Sequence, residues 1–205
     1  MRKLDKIALH KEAVRHRNEL VELDGELIPK SAAIFMSVLA SEADSIVRFG
    51  LYLEAISECT MAGRTAAAVK FAHAQYQELR DIASLKGYSE ALTENGEFEA
   101  GVARAKEALA LAIEEQTCVN YAAENLVRQA IKTGSAQAVN EALEALADST
   151  QVPRKGDCVF DMDWKEEAVA VGADQELISR VWAIVGRRQI IDPTKISPDA
   201  PKRGC

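Results

Sequence analysis

A chain of 205 residues with 48% hydrophobic content can bury one large core or two small ones. Aromatics at 5% and abundant alanine favour closely packed helices and leave little material for β-branched, alternating strands. A net charge of −7 excludes a protein that simply coats nucleic acid along its whole surface.

Residues 3–23 are predicted as one helix. Leu4, Ile7, Val14 and Val21 fall on a single stripe, with Lys11 and Asn18 on the same stripe, and together they make a short, imperfect coiled-coil heptad. These six are the candidate oligomer interface. The same stripe also suits a helix packed on its own chain, and the spacing does not choose between the two. In the stretch GELIP, Gly25 suits the left-handed end of a helix and Pro29 the first turn of the next. Ile28, before the proline, is pushed out of helical geometry, so the stretch reads as a helix–turn–helix joint.

A second helical stretch follows over 30–60, kinked or divided at Gly50, and a third over 64–86, separated by Gly63 and capped by Gly87. After a loop over 87–97, one long helix is predicted over 98–132. Thr133–Ser135 breaks it, and Ser135 suits the N-cap of a helix over 136–148. Ser149–Asp157 is the clearest linker. Asp163 then suits the cap of a helix carrying Trp164, and Ala173–Gly186 forms a last amphipathic helix. The tail from Asp192 holds Pro193, Pro198 and Pro201. No convincing internal repeat is visible. The expected fold is therefore all-α: a helical hairpin, then a helical bundle, with a short irregular segment near 150–162. The expected regions are an oligomerising hairpin over 1–62, a bundle over 63–149, a small helical subdomain over 150–191 and a flexible tail over 192–205.

Charge is distributed unevenly. Residues 85–150 carry a run of glutamates against Lys86, Arg104, Lys106, Arg128 and Lys132, whereas both ends are basic. At the N-terminus, Arg2, Lys3, Lys6, Arg15 and Arg17 are the candidate nucleic-acid contacts, through phosphate. No aromatic residues interleave them and no recognition helix is evident, so a solvated basic face explains them equally. Cys59, Cys118, Cys158 and Cys205 are far apart and fit reduced thiols of a cytosolic protein. No apolar run reaches the roughly 18 residues of a membrane span, and the charged N-terminus has no signal-peptide core. A soluble, cytoplasmic protein is expected.

Motifs for chemistry are sparse. His10, His16 and His73 show no metal-ligand spacing, and no phosphate-cradling or nucleophile-elbow glycine pattern occurs. Asp157, Asp161 and Asp163 cluster near Trp164 but lack the glycine and distal glutamate of a calcium loop. Glu114–Glu115 and Glu166–Glu167 read as helix-surface charges. No catalytic, cofactor or metal residue is assigned, and no enzymatic activity is expected.

The run from Leu9 to Gly50, with Gly25, Glu26, Leu27 and Ile28 at the turn and Phe35, Val38, Leu39, Ile46 and Val47 after it, resembles the small terminase subunits of lambda-type phages. The likeness covers about residues 5–60. Those DNA-packaging proteins usually carry an N-terminal winged helix-turn-helix that contacts DNA, whereas this chain starts at the hairpin. The resemblance therefore implies a viral packaging or assembly protein that acts through homo-oligomerisation, in the host cytoplasm, with at most weak DNA contact and with other phage assembly proteins as partners. The alternative is an all-helical virion structural or adaptor protein with no nucleic-acid role.

Overall fold

The computed structural model describes residues 3–149 and 164–188, and among them the chain is all-α: ten helices and one two-stranded antiparallel sheet. The expected irregular segment near 150–162, the aspartates 157, 161 and 163 and the tail from 192 lie outside the described residues. The chain forms two compact units, residues 1–97 and 98–205. The boundary expected after residue 62 thus falls inside the first unit.

The first unit opens with α1 (Lys3–Arg15), which stops well short of the predicted helix over 3–23. Instead of a helical joint the chain makes a β-hairpin, β1 (Leu20–Leu23) and β2 (Glu26–Pro29), with Leu23 opposite Glu26. The cause is local. Asp24 and Gly25 both hold positive φ, 51° and 80°, which is the two-residue turn that Asp-Gly favours because its twist matches that of paired strands. The flanking pattern agrees: Val21, Leu23 and Ile28 turn inward while Leu20 and Leu27 stay exposed. Pro29, without an amide hydrogen, sits at the end of its strand, where the Lys30 amide donates to the Glu19 carbonyl at 2.8 Å.

α2 (Lys30–Leu39) and α3 (Ser45–Met61) divide at residues 40–44, not at Gly50. Asp44 caps α3 by accepting the Ile46 and Val47 amides at 2.9 and 3.0 Å. Arg48 reaches back to the carbonyls of Leu39 and Glu42 at 2.6 and 2.7 Å and so satisfies the open end of α2. Gly63, at φ 68°, separates α4 (Thr65–Leu79), as expected. The next break comes early, at left-handed Arg80. Asp81 and Ser84 then form a reciprocal cap for α5 (Ile82–Glu94), which leaves Gly87 inside that helix. Each helix of this unit lies against the next, and α3 also lies against α5. The core joins Ala13, Ile28, Ala32, Phe35, Leu51, Tyr52, Ala55 and Ala68.

In the second unit the predicted helix over 98–132 is two helices, α6 (Phe98–Glu115) and α7 (Val119–Lys132). Gln116 and Cys118 at φ 56° and 51° turn the chain, and the Thr117 amide bonds back to Ala112 at 3.1 Å. Ser135 caps α8 (Ala136–Ser149) as expected, accepting the Ala138 amide at 3.3 Å. α9 (Trp164–Ala170) and α10 (Gln175–Arg188) are the remaining helices among the described residues of this unit. α6 packs on α7, α7 on α8 and α8 on α10. Alanines make these contacts close: Ala105, Ala108, Ala112, Ala122, Ala123 and Ala130 are fully buried. Trp164, also fully buried, meets Trp182 edge-on at 6.2 Å.

Candidate functional site

Three helices of the first unit leave a cleft between them. Its volume is about 170 Å³, and its walls are Lys6, Leu9 and His10 of α1, Phe35 of α2, and Val47, Gly50, Leu51 and Glu54 of α3. The lining follows from helical spacing: positions 47, 50–51 and 54 share one face of α3, and positions 6 and 9–10 share one face of α1. Phe35, Val47 and Leu51 are buried and make an apolar floor. The rim is charged. His10 Nδ1 lies 3.8 Å from Glu54 Oε2, and the His10 ring tilts over Phe35 at 6.4 Å. Lys6 is exposed and pairs with no carboxylate among the described residues.

What holds α1 against its neighbours lies just beyond its end. Glu58 of α3 is only 2% exposed, and Arg17 grips it through Nε (2.8 and 3.1 Å) and Nη2 (2.5 Å) while the Ser31 hydroxyl donates at 2.8 Å. Burial by itself pushes the Glu58 carboxyl up. The hydrogen bonds from Arg17 and Ser31 outweigh it, and the carboxyl sits below its ordinary range. Arg17 in turn is raised by its hydrogen bond to Glu58. The clamp ties the turn after α1, the first turn of α2 and the end of α3 together. A second clamp joins α3 to α4, where Arg48 and the Tyr52 hydroxyl (3.1 Å) both donate to Glu78. The hydrogen bond from Arg48 is the main reason the Glu78 carboxyl is lowered. Next to Glu58, Cys59 is fully buried, and that burial pushes its thiol up to about 12.

A wider hollow of about 450 Å³ lies between the hairpin tip, Gly25–Leu27, and the start of α4, Gly63–Ala67. There the Arg64 Nε is buried without a hydrogen-bond partner, and Glu26 pairs with Lys70. Among the described residues, no group of three or more His, Cys, Asp or Glu side chains is placed to hold a metal ion. No helix among them is long and apolar enough to cross a membrane.

The candidate residues read from sequence are only partly brought together. Leu4, Ile7, Lys11 and Val14 do share α1, and Ile7 and Val14 are 48% and 43% exposed. Asn18 lies in the turn after the helix, and Val21 packs on the core from β1, so the six-residue seam does not exist as one helical stripe. Of the candidate phosphate contacts, Arg2 lies outside the described residues and Lys3 opens α1. Lys6 lines the cleft, and Arg15 is exposed, donating to Glu12 at 3.1 Å. Arg17 is engaged by Glu58 rather than left open to phosphate. The His73 ring lies tilted against Tyr88 at 5.2 Å. Sequence reasoning missed Phe35, Leu51 and Glu54 as cleft walls and Glu58 as a clamp. The available signals were a glycine inside an otherwise regular helix and two glutamates, Glu54 and Glu58, one turn apart on its apolar face.

No protein-family model matches the chain, and no curated protein matches it. A solved structure from Podosopora anserina, described as a kinesin light chain with nearly identical TPR-like repeats, superposes with a TM-score of 0.50. The match spans 92% of this chain and 91% of that one, at 15% identity. At that identity the likeness concerns the fold: helices packed each on the next, which is how such repeats build a core.

Proposed function

We propose that this chain is a helical scaffold that acts by binding another protein chain, with the first unit as the binding unit. The observation that carries this reading is the α1–α2–α3 cleft, which combines an apolar floor with a charged rim on a stacked-helix framework. Small concave sites of that make-up take ligand groups, because burial supplies affinity and a few polar groups supply orientation. The TPR-like neighbour supports the framework and is silent on the partner. The test is selection of binders from a displayed random-peptide library with the full chain as bait. Enrichment of a shared motif that also binds the purified chain in solution is expected. A library that yields no binder above scrambled controls overturns the reading.

A second reading keeps the assembly role that the terminase resemblance implies. The observation favouring it is the exposed pair Ile7 and Val14, one face of α1, with exposed Lys11 between them. In that reading α1 joins copies of the chain, and Lys6 and Arg15 make weak contacts with DNA. Light scattering on the wild type and on the Ile7→Glu, Val14→Glu double variant tests it. A defined oligomer that dissociates in the variant supports self-assembly, and a monomer in both removes it. DNA binding at two salt concentrations separates the packaging role from that of an adaptor without nucleic acid.

A further inference from the structure

Gly50 sits in the middle of the 17-residue helix α3, where glycine costs about 1 kcal/mol relative to alanine. Nothing inside the protein asks for it. Its φ is not in the left-handed region, and a Cβ built there meets no atom within 4 Å. The helix does not break or divide at this point either, because its N-cap is six residues earlier at Asp44. What the missing side chain does is leave the α3 backbone open to the cleft it lines.

The space has a definite size and polarity. An apolar cavity of about 150 Å³ accepts a benzene molecule, so about 170 Å³ with Phe35, Val47 and Leu51 on its floor suits one phenyl or branched aliphatic group. At the rim, the Glu54 carboxylate lies beside His10 and is also attracted by the Arg17 guanidinium, whereas Lys6 pairs with no carboxylate among the described residues. Lys6 is therefore the cation at the mouth left without a carboxylate partner, and a carboxylate beside the apolar group would complement it.

We propose that this cleft receives one bulky apolar side chain of a partner peptide, flanked by an acidic residue that meets Lys6, with Gly50 as the opening that admits it. The proposal rests on the scaffold reading and names the partner chemistry for the same site.

The experiment uses the full chain and amide NMR, with Gly50 itself as a reporter. Three peptides are titrated: one with a single phenylalanine between two aspartates, one with lysines in place of the aspartates, and one with alanine in place of the phenylalanine. The aspartate-flanked peptide is expected to shift the Gly50 amide and to bind about tenfold more tightly than either control, an advantage that shrinks as salt is added. Gly50→Leu fills the opening, abolishes binding and raises the thermal midpoint, because a helix former replaces glycine. Lys6→Glu inverts the preference toward the lysine-flanked peptide. Equal binding of the acidic and basic peptides overturns the proposal, as does unchanged binding by Gly50→Leu. Self-association that Gly50→Leu abolishes also overturns it, since the occupant is then a second copy. A library-selected peptide that binds wild type and Gly50→Leu alike overturns the cleft proposal and leaves the scaffold reading standing. Failure of all three designed peptides overturns the cleft proposal alone, because the scaffold reading falls only when the library selection yields no binder.

Discussion

The two units hold their helices together by different means. In the first, charged side chains bridge elements far apart in sequence: Arg17 to Glu58, Arg48 to Glu78 and Lys70 to Glu26. In the second, the described ion pairs run mostly along a single helix, such as Arg104 with Glu107 and Arg128 with Glu124. There the contacts between helices are made by fully buried alanines on α6 and α7. A polar clamp fixes one geometry but is costly when half of it is removed. An alanine seam has no single key residue but tolerates no added volume.

Breaking one clamp is expected to have the largest effect. Arg17→Ala leaves the Glu58 carboxylate buried without its charge partner and should give a larger loss of stability than either Ala108→Leu or Gly25→Ala. Urea unfolding measures it. The double change Arg17→Met, Glu58→Leu should recover most of the loss, and a single variant that unfolds like wild type would remove the clamp from the account. The alanine seam is tested by Ala108→Leu. Ala108 is fully buried, and the added volume should cost about 2 kcal/mol in the second unit. If that variant is neutral, the seam is looser than its burial says.

A smaller effect is expected at the hairpin. Gly25→Ala forces a side chain into φ 80° and should cost about 1 kcal/mol, with Gly25→Asn milder. The last test concerns the shape of a pH profile. Glu58 and Glu78 both titrate below the ordinary carboxylate value of about 4.3. Their contribution to stability is therefore complete above that value and lost as pH falls through the lower, folded values. Urea midpoints of the first unit should hold steady down to about pH 4.5 and then drop. A midpoint that stays flat through this range would mean that the two carboxylates contribute little.

Much of the helical content is legible in the residues. Gly63 and Gly134 both adopt positive φ and mark real breaks, as a residue without Cβ should. The breaks at Arg80, Gln116 and Cys118 are not legible, because ordinary side chains hold left-handed backbone there only as part of a packed turn. The Asp24–Gly25 hairpin was legible, since Asp-Gly between alternating residues is a strong short-range signal. The stripe of Leu4, Ile7, Lys11 and Val14 continues at helical spacing to Asn18 and Val21, and that pattern competes with the turn signal. Gly50 shows the opposite case: a glycine whose helix continues unbroken because nothing around it forces a turn.

By itself the sequence determined the helical class, the soft points at Gly63, Gly134 and Ser135 and the uneven charge, because these depend on local backbone preference and composition. Only the tertiary structure decided that Arg17 meets Glu58 across 41 positions, that Lys6, His10, Phe35 and Gly50 share one cleft, and that α1 ends where it does. Such pairings depend on which faces pack together, and helical periodicity names a face without naming its neighbour.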